Sequence, residues 1–346
     1  MKRGIFYSIL AILGMVKFSV LLAEELSWTM LDGPYGGGNI TCLLQDKDGT
    51  IWAGSNQYGL FKSNDLAQTW QQLPIPELFG KTITCMDARE DFLYIGTYGP
   101  TFRFDMKAFT GYWIWLSNAR KIKATSSEHF YALTNIPEDR DKIYYVDPAG
   151  DTIEIGPPEG FSYVADIDVT VDDILYAMVP DRLFRSSDHG DSWEDLSPPA
   201  GFRLAGLYTA LDVNEDGDIF ILNGGWPGSR DDETPRMGFF YHYSPFMGWT
   251  TKQTIPATFW DVTSLQVNGD IIAASPTGYS LDHGATWNAV QFDDSAPYAT
   301  YRALMYIPEG KFMASTAFNV FFSADLGSSW QTRNHDLYFE IGRAHV

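Results

Sequence analysis

From Ile40 to Thr332 the chain is written in short apolar runs, broken every few positions by Gly, Asp or Asn. The clearest phrase is Ile40-Thr41-Cys42-Leu43-Leu44-Gln45, a turn at Asp46 to Gly49, then Thr50-Ile51-Trp52-Ala53-Gly54, a loop over 55–58, and Gly59-Leu60-Phe61-Lys62-Ser63. Alternation with a period of two between such breaks predicts three short antiparallel strands. The phrase returns at 83–113, 122–155, 164–196, 207–253 (with a loop insertion), 262–290 and 302–332. That makes seven units of about 41 residues each. No stretch between them carries the helical period.

An octapeptide closes the best-preserved units. Ser63, Asp65, Ala67, Thr69 and Trp70 set the pattern, which Ser186, Asp188, Gly190, Ser192 and Trp193 repeat. It recurs at Ser280, Asp282, Gly284, Thr286 and Trp287, and at Ser323, Asp325, Gly327, Ser329 and Trp330. Degraded copies surround Asp105 and Asp147. The Asp carboxylate is suited to accept the turn's own N–H groups, and Gly supplies the positive φ of a tight hairpin. The Ser or Thr then leads into a fourth strand, whose Trp is expected to pack between neighbouring sheets. These turns read as staples, not as catalytic groups. His189 and His283, at the variable place inside two of them, are expected to be solvated.

Four short strands repeated seven times make sheets that cannot bury their apolar surface alone, and radial packing into a β-propeller solves this. The octapeptide resembles the Asp-box, or bacterial neuraminidase repeat, and the likeness extends over nearly the whole of 24–340. The first unit, with Asp48-Gly49-Thr50-Ile51-Trp52-Ala53-Gly54 followed by Gly59-Leu60-Phe61, also looks like the propeller repeats in the sensor regions of bacterial two-component systems. The resemblance implies an all-β propeller of about seven four-stranded blades. Glu25 to Met30 aligns with the strand after a box, as if Trp28 lay on an outer strand of the last blade, yet the last unit already has its own at Trp330.

The N-terminus reads as an export signal over 1–23. Met1-Lys2-Arg3 is basic, an apolar run follows from Ile5 to Val16, and Ala23 precedes Glu24 and Glu25. Lys17 interrupts the apolar run, leaving too little to span a bilayer. The mature chain is therefore expected to be secreted, periplasmic or at the cell surface, a monomer with no membrane insertion. The last six residues, 341–346, resemble a translated sequencing adapter and are read as a non-native scar. Composition adds one exclusion: 24 Lys and Arg against 44 Asp and Glu give a net charge of −20. Such a surface repels phosphate backbones, so nucleic acid is not an expected partner. The two cysteines, Cys42 and Cys85, occupy equivalent strands of adjacent units and read as buried thiols, not a disulfide.

Antiparallel topology puts the turns between second and third strands, and those between units, on one face, with the boxes on the other. Ligand candidates on the first face are Tyr58, Tyr98, Trp260 and Tyr298, with Trp226, Arg230, Asp231, Glu233 and Arg236 from the long insertion. Aromatic rings beside hydrogen-bonding carboxylates suit a sugar or a protein segment. The family resemblance admits two enzymatic alternatives. A sialidase would need an Arg-Ile-Pro motif and an arginine triad; the motif is absent, and only Arg89, Arg120, Arg203 and Arg302 lie near suitable strand starts. A xyloglucanase-like hydrolase would need two cleft carboxylates roughly 6.5–9.5 Å or about 5 Å apart, for which Asp232 and Asp261 are the candidates. A two-component sensor domain is the third reading. No cofactor or metal site is expected: Asp212 to Asp218 imitates a calcium loop, but Asn223 stands where a bidentate Glu is required, and His129, His242, His335 and His345 show no ligand spacing. The leading expectation is a non-catalytic module that recognises a glycan or an extracellular protein.

Overall fold

A computed structural model describes residues 39–125, 128–136, 140–155, 163–180, 182–198, 209–223, 238–255, 262–275, 278–290, 301–335 and 337, which lie in one unit beginning at Tyr35. Within them the chain forms seven four-stranded antiparallel blades, over 40–72, 79–117, 119–154, 166–195, 209–255, 264–289 and 301–332. Blades 1 and 2 are joined in one sheet, because the second strand of blade 1 (Ile51–Tyr58) continues far enough to pair with the inner strand of blade 2 (Phe79–Arg89). Inner strands of blades 1 to 6 lie side by side in succession around an axis, while that of blade 7 (Tyr301–Ile307) lies against the second strand of blade 6 (Ile271–Ser275) on one side and the inner strand of blade 1 (Ile40–Gln45) on the other. The ring closes there. The apolar cluster at this seam joins Ile40, Ile51, Phe61 and Trp70 to Met305, Met313, Val320 and Phe322. The outer strand of blade 7 is Gln331–Thr332, while Trp28 falls outside the described residues.

Burial follows position within a blade. Second strands such as Leu175–Val179 and Ile219–Asn223 are buried throughout, because a neighbouring blade covers each face. They therefore read as continuous apolar runs where the alternation of an open sheet was expected. Outer strands such as Gln71–Gln72 and Glu194–Asp195 are exposed.

The four boxes have one geometry. In the first, Asp65 Oδ1 accepts the Thr69 N–H at 2.9 Å and the Ser63 hydroxyl at 2.8 Å, and Oδ2 accepts the Thr69 hydroxyl at 2.6 Å. Ser63 Oγ in turn accepts the Ala67 N–H at 2.9 Å. The same bonds recur at Asp188, Asp282 and Asp325. The hydrogen bonds from Ser192 and Ser186 hold the Asp188 carboxyl down at about 2. Each Trp packs against the preceding blade: Trp70 on blade 7, Trp193 on blade 3, Trp287 against Phe240 of blade 5, and Trp330 on the blade 6–7 cluster.

The box glycine answers two demands together. Gly284 has φ +85°, and a Cβ there would lie 2.5 Å from a ring carbon of the fully buried Phe240. Gly248 has φ +71° with nothing within 4 Å of a Cβ. Gly284→Ala is accordingly expected to cost about 2–4 kcal/mol in thermal denaturation, and Gly248→Ala about 1 kcal/mol. Equal losses in the two variants would refute a role for blade-to-blade contact.

Candidate functional site: the propeller axis and the face opposite the boxes

Inner strands of different blades exchange few backbone ladder bonds, so polar side chains tie them together. Thr41 Oγ1 donates to Ile83 O at 2.6 Å, and Thr84 Oγ1, the equivalent group one blade on, donates to Ala119 O at 2.5 Å. Lower on the same strands, carboxylates accept the next blade's N–H groups: Asp87 from Ala124 (2.8 Å), Asp166 from Leu211 (2.8 Å), Asp168 from Val213 (2.7 Å) and Asp212 from Val267 (2.8 Å). Gln266 performs the same task toward blade 7, accepting from Tyr306 N–H and donating to Tyr306 O. Ser315 Oγ donates to Ile40 O at 3.2 Å across the closing seam.

Blade 3 alternates the charge. Its inner strand (Ala119–Ala124) carries lysines at the corresponding places: Lys121 Nζ lies 2.6 Å from Asp166 and Lys123 Nζ 2.7 Å from Asp168. The two lysines border an axial cavity of about 450 Å³ that Thr41, Thr84, Asp87, Asp212, Gln266 and Arg302 help to line. Burial pushes the Asp212 carboxyl up to about 7, helped by the charge of Asp168 and opposed by Lys123. Asp87 is also raised by burial. Burial works against the Lys123 ammonium, but Asp168, Asp212 and Asp87 outweigh it, and its pKa rises. The axis is thus a buried, mutually compensated polar network.

Cys42 and Cys85 are both free, as expected. Each Sγ fills the space over a glycine: a Cβ on Gly54 would lie 2.7 Å from Cys42 Sγ, and one on Gly96 2.5 Å from Cys85 Sγ. Burial pushes both thiols up, Cys42 to about 12.

Of the ligand candidates, Tyr58 and Tyr98 are described. Tyr58 ends the second strand of blade 1 and Tyr98 directly follows that of blade 2 (Phe92–Thr97), both on the face opposite the boxes, with 38% and 73% of their surface exposed. The structure adds Phe79, 45% exposed and seated over Gly59, which the sequence pattern did not single out. Trp226, Arg230, Asp231, Asp232, Glu233, Arg236, Trp260, Asp261 and Tyr298 lie outside the described residues. The strands that bracket the first six of these, Ile219–Asn223 and Gly238–Ser244, are the second and third of blade 5, the same connection that carries Tyr58 in blade 1. The calcium-loop imitation resolves as a hairpin: Asp218 N–H donates to Asn214 Oδ1 at 2.8 Å, Gly217 has φ +78°, and Asp212 faces the axis.

His189 is half-exposed, in line with the expectation, and His283 is partly exposed, but both also touch the preceding blade. Tyr131 Oη lies 2.6 Å from His189 Nδ1, and His283 meets the rings of Phe220 and His242 edge-on. Both imidazoles rest on the preceding blade, because the box turn that carries them is itself pressed against it.

The model of the two-component regulator propeller family matches residues 34–57. No curated protein matches the chain by sequence. Among solved structures, the chain is similar to the extracellular domain of a one-component system, BT4673, from B. thetaiotaomicron, with a TM-score of 0.60 and 16% identity over 83% of this chain. It spans 38% of that domain's length. The GH74 xyloglucanase from Xanthomonas campestris gives a TM-score of 0.60 at 16% identity, covering 87% of this chain and 55% of the enzyme. YCF48 bound to D1 peptide gives 0.59 at 12% identity, covering 83% and 93% of the two chains. The fold is a β-propeller. Among the described residues no helix is long and apolar enough to cross a membrane.

Proposed function

We propose that this chain is an extracytoplasmic Asp-box propeller that recognises a glycan or a polypeptide segment on the face opposite its boxes, without catalysing a reaction there. The observation that carries this reading is the engagement of the axial acids: Asp87, Asp166, Asp168 and Asp212 each accept a neighbouring blade's N–H, and Lys121 and Lys123 pair with two of them. A carboxylate that holds two blades together is poorly placed to shuttle protons. Tyr58, Phe79 and Tyr98 meanwhile offer exposed rings on the opposite face from the staples. The peptide on YCF48 supports a polypeptide ligand, and the xyloglucanase supports a sugar. Export through residues 1–23, a propeller over 24–340 and a scar at 341–346 belong to the same proposal, as does a monomeric state.

A sensor role is the second reading, favoured by the family match at 34–57 and by the BT4673 domain. It differs in what the propeller is attached to, not in the face used. The hydrolase reading rests on Asp232 and Asp261 alone. The test is binding of the mature chain to glycan and peptide arrays, repeated with the Tyr58→Ala, Tyr98→Ala double variant. We expect at least a tenfold loss of affinity (about 1.4 kcal/mol) with an unchanged Tm. Phe246, 95% exposed in the turn between the third and fourth strands of blade 5, lies on the box face; retained binding in the double variant, with loss in Phe246→Ser, would reverse the assignment. Release of reducing ends that disappears in Asp232→Ala or Asp261→Ala would establish the hydrolase instead.

A further inference from the structure

Three turns from two blades bring together a set of side chains whose sequence separations gave no warning of it. His129 ends the first hairpin of blade 3, Asp173 sits in the first hairpin of blade 4, and His189 is the variable residue of blade 4's box. One ligand atom from each lies within 4.8 Å of the other two. His129 Nε2 is 2.7 Å from Asp173 Oδ2, and His189 Nδ1 is 3.8 Å from the same oxygen. The imidazoles stand nearly perpendicular, with centroids 5.6 Å apart. Tyr131 Oη completes the group, 2.6 Å from His189 Nδ1.

Two features separate this cluster from an ordinary buried ion pair. His129 is only 4% exposed, yet its Nε2 makes no hydrogen bond of acceptable geometry: the 2.7 Å contact to Asp173 is off the direction of a ring N–H bond. Asp173 Oδ1 is likewise buried without a partner. A buried imidazole nitrogen and a buried carboxylate oxygen left unsatisfied side by side are costly unless something between them completes both. The blade 5–6 seam supplies the contrast. There the corresponding box histidine, His283, meets His242, but His242 is stacked on Phe220 at 4.7 Å and its Nε2 is 3.8 Å from Asp218. His242 Nε2 is likewise buried without a hydrogen-bond partner, but among the described residues no three ligand atoms converge there as they do at His129, Asp173 and His189.

We propose that His129, Asp173 and His189 bind a divalent transition-metal ion, Zn²⁺ by donor type, which clips blade 3 to blade 4 on the box face. Two imidazoles and one carboxylate form a zinc ligand set, with metal–ligand distances of about 2.0–2.2 Å and a fourth place for water or the Tyr131 oxygen. Ligand atoms around such an ion stand about 3.3–3.5 Å apart. The His129–Asp173 contact widens and the His189–Asp173 contact narrows to reach that spacing. Coordination through His189 Nδ1 takes that nitrogen from the Tyr131 hydroxyl, which already has a hydrogen bond with the Asp173 carboxylate to fall back on. Each imidazole binds a metal ion through an unprotonated ring nitrogen, so protons compete with the ion for the site.

The experiment uses the chelator-treated mature chain, titrated with Zn²⁺ by calorimetry and with Co²⁺ by visible absorption. The expected result is one ion per chain, a tetrahedral Co²⁺ spectrum, and a rise in Tm of at least about 3 °C at saturating Zn²⁺. His189→Gln, at a half-exposed position that does not threaten folding, should weaken binding more than about 100-fold, and Asp173→Asn should do the same. His283→Gln should bind as the unaltered protein does. The proposal is overturned if the unaltered chain binds no Zn²⁺ or Co²⁺ at about 100 µM, or if one-to-one binding survives both ligand-site substitutions.

Discussion

Trp70→Ala is expected to lower the melting temperature by roughly 5–15 °C, corresponding to about 3–5 kcal/mol, and to do so more than any other box Trp→Ala change. Trp70 is 4% exposed, whereas Trp193, Trp287 and Trp330 are only half-buried. Its indole N–H donates to Arg333 O at 3.0 Å, and its rings lie in the cluster built from blades 1 and 7. Truncation leaves a cavity and an unpaired carbonyl at the seam where the first and last blades meet. A ring of repeats is least tolerant of damage there, since each blade otherwise has two neighbours joined to it by continuous chain. Differential scanning calorimetry of Trp70→Ala beside Trp330→Ala decides the matter. Equal losses would mean that closure places no special demand on the first box.

Lys123→Met should be the second large effect, because it removes the cation from among Asp87, Asp168 and Asp212. Removing one partner of a buried pair costs about 3–5 kcal/mol, and the 26% exposure of the Lys123 side chain points to the lower end. The loss is pH-dependent, with a sign that follows from Asp212. Its folded-state pKa of about 7 lies above the unfolded value, so its protonated form contributes stability that is complete below about pH 4 and lost as pH rises through 7. Without Lys123 the carboxyls of Asp87 and Asp212, both already raised, titrate higher still, and the variant should approach the unaltered protein near pH 5 but fall well below it at pH 8. The box acids act in the opposite sense: Asp188, held down at about 2, contributes stability present above about pH 4 and lost toward pH 2. Asp212→Asn keeps an acceptor for Val267 N–H and should reduce the decline between pH 4 and 8, leaving the smaller part owed to Asp87. Urea melts of the three proteins at pH 5 and 8 test this. A Lys123→Met deficit that is the same at both values would contradict the assigned network.

The boxes were legible in the sequence because their chemistry is complete within eight residues: Asp65 bonds only to groups from Ser63 to Thr69. The count of seven units followed from that punctuation. The axial network was not read, since in any one strand Asp166-Ile167-Asp168 looks like an ordinary alternation. A signal does exist one repeat away, because Lys121 faces Asp166 and Lys123 faces Asp168, each 45 residues on. Opposite charges in register between successive units announce neighbouring inner strands. The contacts that His189 and His283 make besides solvent were not read, for a related reason. The octapeptide specifies the turn, but what lies beneath it comes from the preceding blade: Tyr131 in one case, Phe220 and His242 in the other. Of the recognition face, the sequence indicated Tyr58 and Tyr98 through topology alone, and it missed Phe79 because an aromatic at the start of an inner strand reads as core.

The division of labour between the two faces is most directly tested by hydrogen–deuterium exchange of the mature chain with and without the ligand captured on the arrays. Slowed exchange is expected in the connections after Tyr58 and Tyr98 and at the starts of the inner strands, with the turns at Asp65, Asp188, Asp282 and Asp325 unchanged. Slowing confined to those four turns, with the Tyr58 and Tyr98 connections unaffected, would contradict the account.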